Sequence, residues 1–237
     1  MWRNVAPAFA SEYRTVLFDH VGAGKSELAA YDHARYDSLR GYADDVVEIC
    51  AALDLRDAVF VGHSVSAMIG VLAALEAPER IGALVLVSPS PRYIDDEDSG
   101  YVGGFSQADI VGLLDALESN YLGWSHTMAA VIMGQPERPD LAAELEQSFC
   151  RTDPIIAAHF AQVTFLSDNR RDLRRVSVPT LVVQCSEDPI ASQAVGEYVH
   201  DHIEGSELVV LKTTGHCPNL SSPDETIAAM LEFVGRR

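Results

Sequence analysis

Five short runs of this chain are continuously apolar and rich in β-branched residues: RTVLFD (14–19), AVFVG (58–62), ALVLVS (83–88), TLVVQC (180–185) and ELVVLK (207–212). A strand with one wet face alternates apolar and polar side chains. Runs without alternation belong to strands covered on both faces, as in a parallel sheet between helices. Helical patterns separate most of them. Residues 37–54 place Leu39, Tyr42, Val46, Ile49, Cys50 and Leu53 on one face, residues 63–76 are apolar nearly all round, and 191–203 and 223–235 continue the alternation. Strand then helix, repeated, predicts an α/β fold with right-handed crossovers.

The rhythm breaks between Pro89 and about Arg175. A turn-rich acidic run, PSPRYIDDEDSGYVGGF, is followed by four helical patterns, 106–120, 122–133, 137–150 and 154–167, punctuated by Gly123, Gly134, Pro136, Pro139 and Pro154. An all-helical block between two strands of a parallel sheet is expected to lie as a lid over the C-terminal edge of the sheet, where open α/β sheets bind ligands. This divides the chain into a core of residues 1–89 and 176–237 and a helical lid of residues 90–175.

At 237 residues, 48% hydrophobic and 22% charged, the chain is long enough for one well-buried domain and is not disordered or collagen-like. Its net charge of −18, with Lys25 and Lys212 the only lysines, argues against nucleic acid or an anionic membrane as partner, since both demand a cationic face. No run approaches the length that spans a bilayer, and the N-terminus has no signal-peptide core. Cys50, Cys150, Cys185 and Cys217 are scattered, without a CxxC pair, as in a reduced cytoplasmic protein. No metal or cofactor is expected.

The segment Val61-Gly62-His63-Ser64-Val65-Ser66 joins an apolar strand to an apolar helix. A serine on such a sharp turn is lifted clear of the sheet, and the turn demands small neighbours, here Gly62 and Ser66. The amide of Val65, at the helix N-terminus, is placed to donate to a developing oxyanion. Serine also caps helices, but the strand–turn–helix context favours a nucleophile. A serine hydroxyl needs a base held by an acid, and in this architecture the chain order is Ser, acid, His. TLVVQC runs into Ser186-Glu187-Asp188 and ELVVLK into Thr213-Thr214-Gly215-His216, which nominates Asp188, with Glu187 as rival, and His216. The histidines at 20, 33, 63, 126, 159, 200 and 202 are read as surface or packing residues. Gly22-Ala23-Gly24-Lys25-Ser26 ends like a phosphate-binding loop, but the place of its first glycine holds Asp19 and no apolar helix follows, so nucleotide binding is not expected.

Together FVGHSVSAMIG, SPSPRYIDDEDSGYVGGF, NYLGW, VPTLVVQCSEDPIAS and TTGHCPNLSSPDE resemble one α/β-hydrolase subfamily. It comprises the bacterial energy-stress regulator of the general stress sigma factor and the plant karrikin and strigolactone receptors. The resemblance implies Ser64, Asp188 and His216 as a triad, a four-helix lid, and a mostly apolar pocket for a small hydrophobic ester or lactone. Trp124, Phe160 and Phe165 are the lid aromatics expected to line it. It also implies that the family's first β-hairpin, central strand and second oxyanion loop precede Met1, so the N-terminal strands are missing here and the natural start is expected upstream. Three functions stay open: a serine hydrolase, with or without coupling to stress signalling; a ligand-binding signalling regulator with a protein partner and little turnover; and an inactive truncated form.

Overall fold

The computed structural model describes residues 1–236. Four parallel strands form one sheet in the order β1 (Ala58–His63), β2 (Ile81–Val87), β3 (Thr180–Glu187), β4 (Glu207–Thr214). Val61 lies opposite Val85, Leu86 opposite Val182, and Val183 opposite Val209. The strands run parallel because each is joined to the next by a helical crossover. Flanking them are α1 (Leu39–Ala52), α2 (Val65–Glu76), α8 (Gln193–His202) and α10 (Pro223–Val234), with the single turn α9 (Pro218–Ser221) before the last.

The absence of alternation in the strands has a direct cause. On β2, Leu84 and Leu86 face a cluster with Tyr42, Val46, Met68, Ile69 and Val199, from α1, α2 and α8. Ala83, Val85 and Val87 face the other side, with Met230 and Phe233 of α10 and Val5 near the N-terminus. Both faces of β2 are therefore dry, as is β3 over residues 180–185, while the outer strands β1 and β4 keep partly exposed positions. α2 is wedged between β1, β2 and α1, which explains an apolar circumference that leaves residues 67–74 all buried.

The run Arg14–Asp19 departs from the sequence expectation. It makes no ladder with any described strand, and Leu17 and Phe18 are 63% and 39% exposed. Apolar β-branched composition expresses a fit to a pleated surface, and it yields a strand only where a neighbour supplies the hydrogen bonds. β1, for its part, is paired on one side, with β2.

Between β2 and β3 stand α3 (Gln107–Ser119), α4 (Tyr121–Met133), α5 (Pro139–Phe149), α6 (Pro154–Phe165) and the short α7 (Arg170–Leu173). Their boundaries follow the local chemistry. Ser106 and Asp109 form a reciprocal capping box on α3, and Asn120 caps Gly123 on α4. Gly134 ends α4 in the left-handed region, and Asp153 accepts from the amides of Ile155 and Ile156 ahead of a proline at N1 of α6. The acidic run before α3 is tied down: Asp95 accepts from the amides of Gly103 and Gly104, and Arg170 of α7 bonds Asp96 and Asp168 at 2.8 and 2.7 Å. Among the described residues no helix is long and apolar enough to cross a membrane.

Candidate active site

Ser64 stands between the end of β1 and the start of α2, with φ 56° and ψ −124°. That is strained for a residue with a Cβ, and such strain persists where the surroundings enforce it. Here the enforcement is visible. The Ser64 amide donates to the Val87 carbonyl at 2.9 Å, and its own carbonyl accepts from Ala67 at 2.9 Å. Gly62 makes the turn sterically feasible, because a Cβ there would lie 2.3 Å from the Ser66 carbonyl oxygen. Val65 is the first residue of α2, so its amide is among those a helix leaves without an internal acceptor.

His216 follows β4 and Asp188 follows β3, so the ends of three parallel strands converge. His216 Nε2 lies 2.7 Å from Ser64 Oγ, and Nδ1 lies 2.8 Å from Asp188 Oδ2 and 3.0 Å from Oδ1. A carboxylate only accepts, so Nδ1 carries the proton and Nε2 presents its lone pair to the serine hydroxyl. Asp188 Oδ1 also accepts from the amides of Ile190 and Ala191, at 2.8 and 3.0 Å. Both His216 and Asp188 are buried. Glu187, the rival acid, is exposed and takes the Thr214 hydroxyl instead.

The aromatics nominated from the inserted helices separate. Phe165 stacks edge-on against Tyr93 at 5.0 Å, and the Tyr93 hydroxyl lies 3.4 Å from Ser64 Oγ. Trp124 packs on Tyr121 and Phe149 within the insertion, and Phe160 packs on Tyr42 of α1. Sequence reasoning missed Tyr93, Ile132 and Ile190, which cluster with Phe165 and Met128, Tyr93 reaching Ser64, Ile132 the His216 amide and Ile190 the Asp188 carboxylate. Ile190 could have been found from its place two residues after Asp188; Ile132 carries no such signal. Burial pushes the Tyr93 phenol up to about 12, so it is a neutral hydroxyl at working pH. Two surface clefts, of about 580 and 410 Å³, are lined by residues other than Ser64, Asp188 and His216.

The glycine-rich turn at 22–26 is filled by the chain itself. The Asp19 carboxylate accepts the Lys25 amide at 2.9 Å and lies against Gly24, where a Cβ would meet it at 2.3 Å. An anion already occupies the place a phosphate would need. No cluster of three or more metal-ligating side chains occurs among the described residues.

His63, read from the sequence as a packing residue, touches the site: its Nε2–H donates to the His216 carbonyl at 2.7 Å. Burial holds its imidazole down to about 3, so the folded state keeps it neutral. A histidine with a depressed folded pKa contributes stability that is present above its unfolded value near 6.5 and is lost as pH falls toward 3, at about 1.4 kcal/mol per unit. Urea unfolding of the native chain and of His63→Gln, compared between pH 7 and pH 4, is expected to show the steeper acid loss in the native chain.

A parallel sheet with a strained serine turn and an acid and a histidine on later strand ends is the architecture of an α/β hydrolase. The chain belongs to that family: the profile described as alpha/beta hydrolase fold matches residues 1–223. Among curated relatives, the Karrikin insensitive 2 receptor CA of Petunia hybrida is 38% identical over 235 residues, covering 99% of this chain and 86% of the relative. The Strigolactone esterase D14 of Arabidopsis thaliana is 37% identical over 236 residues, with the same coverage. A solved hydrolase from Oleispira antarctica superposes with a TM-score of 0.96 at 37% identity, covering all of this chain and 86% of that one.

Proposed function

We propose that this protein is a serine hydrolase that cleaves a small hydrophobic ester or lactone. The observation that carries the reading is the unbroken line Ser64 Oγ, His216, Asp188, with contacts of 2.7 and 2.8 Å. In this reading His216 Nε2 takes the proton as Ser64 Oγ attacks the carbonyl carbon, and Asp188 stabilises the imidazolium that forms. The Val65 amide donates to the oxyanion. His216 then protonates the leaving alcohol oxygen, and water repeats the sequence on the acyl-enzyme. Residues 90–175 act as the lid, and the cluster of Tyr93, Ile132, Phe165 and Ile190, which meets the serine through the Tyr93 hydroxyl, supplies the apolar surface of the pocket. That surface favours an uncharged acyl or lactone group over a charged one. The esterase name carried by one relative agrees with this chemistry.

A second reading is favoured by the receptor name of another relative: a ligand-binding signalling protein in which the same residues capture a ligand, turn over slowly and report to a protein partner. Kinship with the bacterial energy-stress regulators would place that role in stress signalling in the cytoplasm. Turnover separates the two readings, since enzymes ordinarily run at about 1–10³ per second.

A fluorophosphonate probe is expected to label Ser64, and His216→Ala to suppress that labelling, because the base activates the nucleophile. Peptide mapping by mass spectrometry locates the adduct. A label on another residue, or one unchanged in His216→Ala, overturns the assignment.

A further inference from the structure

His216 is held by its backbone as well as by its ring. Its amide donates to the Ile132 carbonyl of α4 at 2.8 Å, and its carbonyl accepts from His63 Nε2 at 2.7 Å. One restraint comes from the inserted helices and the other from His63, the last residue of β1 and the neighbour of the serine. The residue before it, Gly215, has φ 99°, a conformation open to glycine, so the loop has little intrinsic stiffness at the point where the base must be aimed.

We propose that His63 is a positioning residue for the base: by holding the His216 carbonyl it fixes the peptide plane from which the imidazole is aimed at Ser64. This rests on the hydrolase reading above and adds a residue to it. With amide and carbonyl both anchored, the Cα–Cβ direction of His216 is set, and only two side-chain torsions remain for Asp188 to fix. The arrangement also ties nucleophile and base to one another through the backbone, because His63 and Ser64 are adjacent. A shift of β1 carries the serine and the anchor of its base together. The two imidazole centroids lie 5.0 Å apart, close enough that a neutral His63 matters: a cation there would oppose the imidazolium formed in each turnover.

The neutral tautomer is settled by the partner. A carbonyl oxygen carries no proton, so Nε2 of His63 must donate. Glutamine places an amide N–H near that position. Asparagine falls one bond short, and leucine removes the donor while keeping much of the volume. The three substitutions therefore separate the hydrogen bond from the packing.

The test uses the full chain with p-nitrophenyl butyrate, comparing His63→Leu, His63→Asn, His63→Gln and Ser64→Ala. A displacement of about 1 Å at a reacting group costs on the order of 10²-fold, so His63→Leu and His63→Asn are expected to lose about that much in kcat with KM little changed. His63→Gln is expected to recover most of it. The downfield proton resonance of His216 Nδ1–H, an activity-independent signature of its bond to Asp188, should persist in His63→Gln and broaden or shift in the other two. Native kcat in a folded His63→Asn or His63→Leu, or a His63→Gln as impaired as His63→Asn, overturns the proposal. Native turnover no higher than that of Ser64→Ala would overturn the hydrolase reading instead. The resonance then decides the positioning claim alone: an unchanged signal in His63→Asn overturns it, and a lost signal supports it.

Discussion

Asp188→Asn is expected to lower kcat about 10⁴-fold while leaving the fold intact. The size follows from the hydrogen bonds already made by the carboxylate. Oδ1 accepts the amides of Ile190 and Ala191, so an asparagine would turn its carbonyl oxygen toward those two donors. Its NH2 group would then face His216 Nδ1, which today donates to Oδ2 at 2.8 Å. Two donors cannot share that contact, so the imidazole would move its proton to Nε2 and present N–H to Ser64, where a lone pair is needed. The variant would be well packed and carry the wrong tautomer. Glu187 offers no substitute, since its carboxylate is exposed and engaged by Thr214. Steady-state kinetics beside a thermal melt checks both halves. A melt near that of the native chain with activity lost is the expected result, and a native kcat would overturn the role proposed for Asp188.

Gly62→Ala is expected to cost about 3 kcal/mol, the upper part of the usual range for forcing atoms into a packed site. For a chain of this length that lowers Tm by roughly 10 °C. The added methyl would meet the Ser66 carbonyl oxygen at 2.3 Å, its carbon at 2.5 Å and the Ala67 nitrogen at 2.7 Å. All three are backbone atoms at the start of α2, so no side-chain rotation relieves the clash. Relief requires α2 to back away from β1, which undoes the strained turn at Ser64, and activity should fall with stability. Gly112→Ala is the control. That glycine lies within α3 with nothing within 4 Å of an added Cβ, so the substitution is expected to be neutral or stabilising, by up to about 1 kcal/mol. Calorimetry on both variants distinguishes a steric cause from a general intolerance of substitution.

The sheet was legible because burial on both faces leaves a compositional trace. Leu84 and Leu86 serve one layer while Ala83, Val85 and Val87 serve the other, and the resulting unbroken run admits few other interpretations. The same trace misled at Arg14–Asp19, where identical composition has no neighbouring strand to pair with, and pairing is not written in a local window. The positions of Ser64, Asp188 and His216 were readable because each follows a strand, and strand ends are local signals. What surrounds them was not. Tyr93, Ile132 and Ile190 meet only once the insertion folds back over the sheet, and nothing in the windows around Trp124 and Phe160 distinguishes a ring packed on Phe149 or Tyr42 from one packed beside the serine. His63 escaped notice because a histidine inside a strand reads as filling, and its partner lies 153 residues away in sequence.

That long separation has a consequence in time. Ser64 and His216 stand 152 residues apart, while Asp188 and His216 stand 28 apart. At the usual 5–20 residues per second of synthesis, the ribosome finishes the serine turn roughly 8–30 s before it makes the base. Throughout that interval the growing polypeptide carries a plain, unreactive hydroxyl. In the hydrolase reading proposed above, the serine gains its base only once β4, paired with β3, brings His216 to the turn. In that reading, a nascent chain stalled anywhere before that point has its serine without its base.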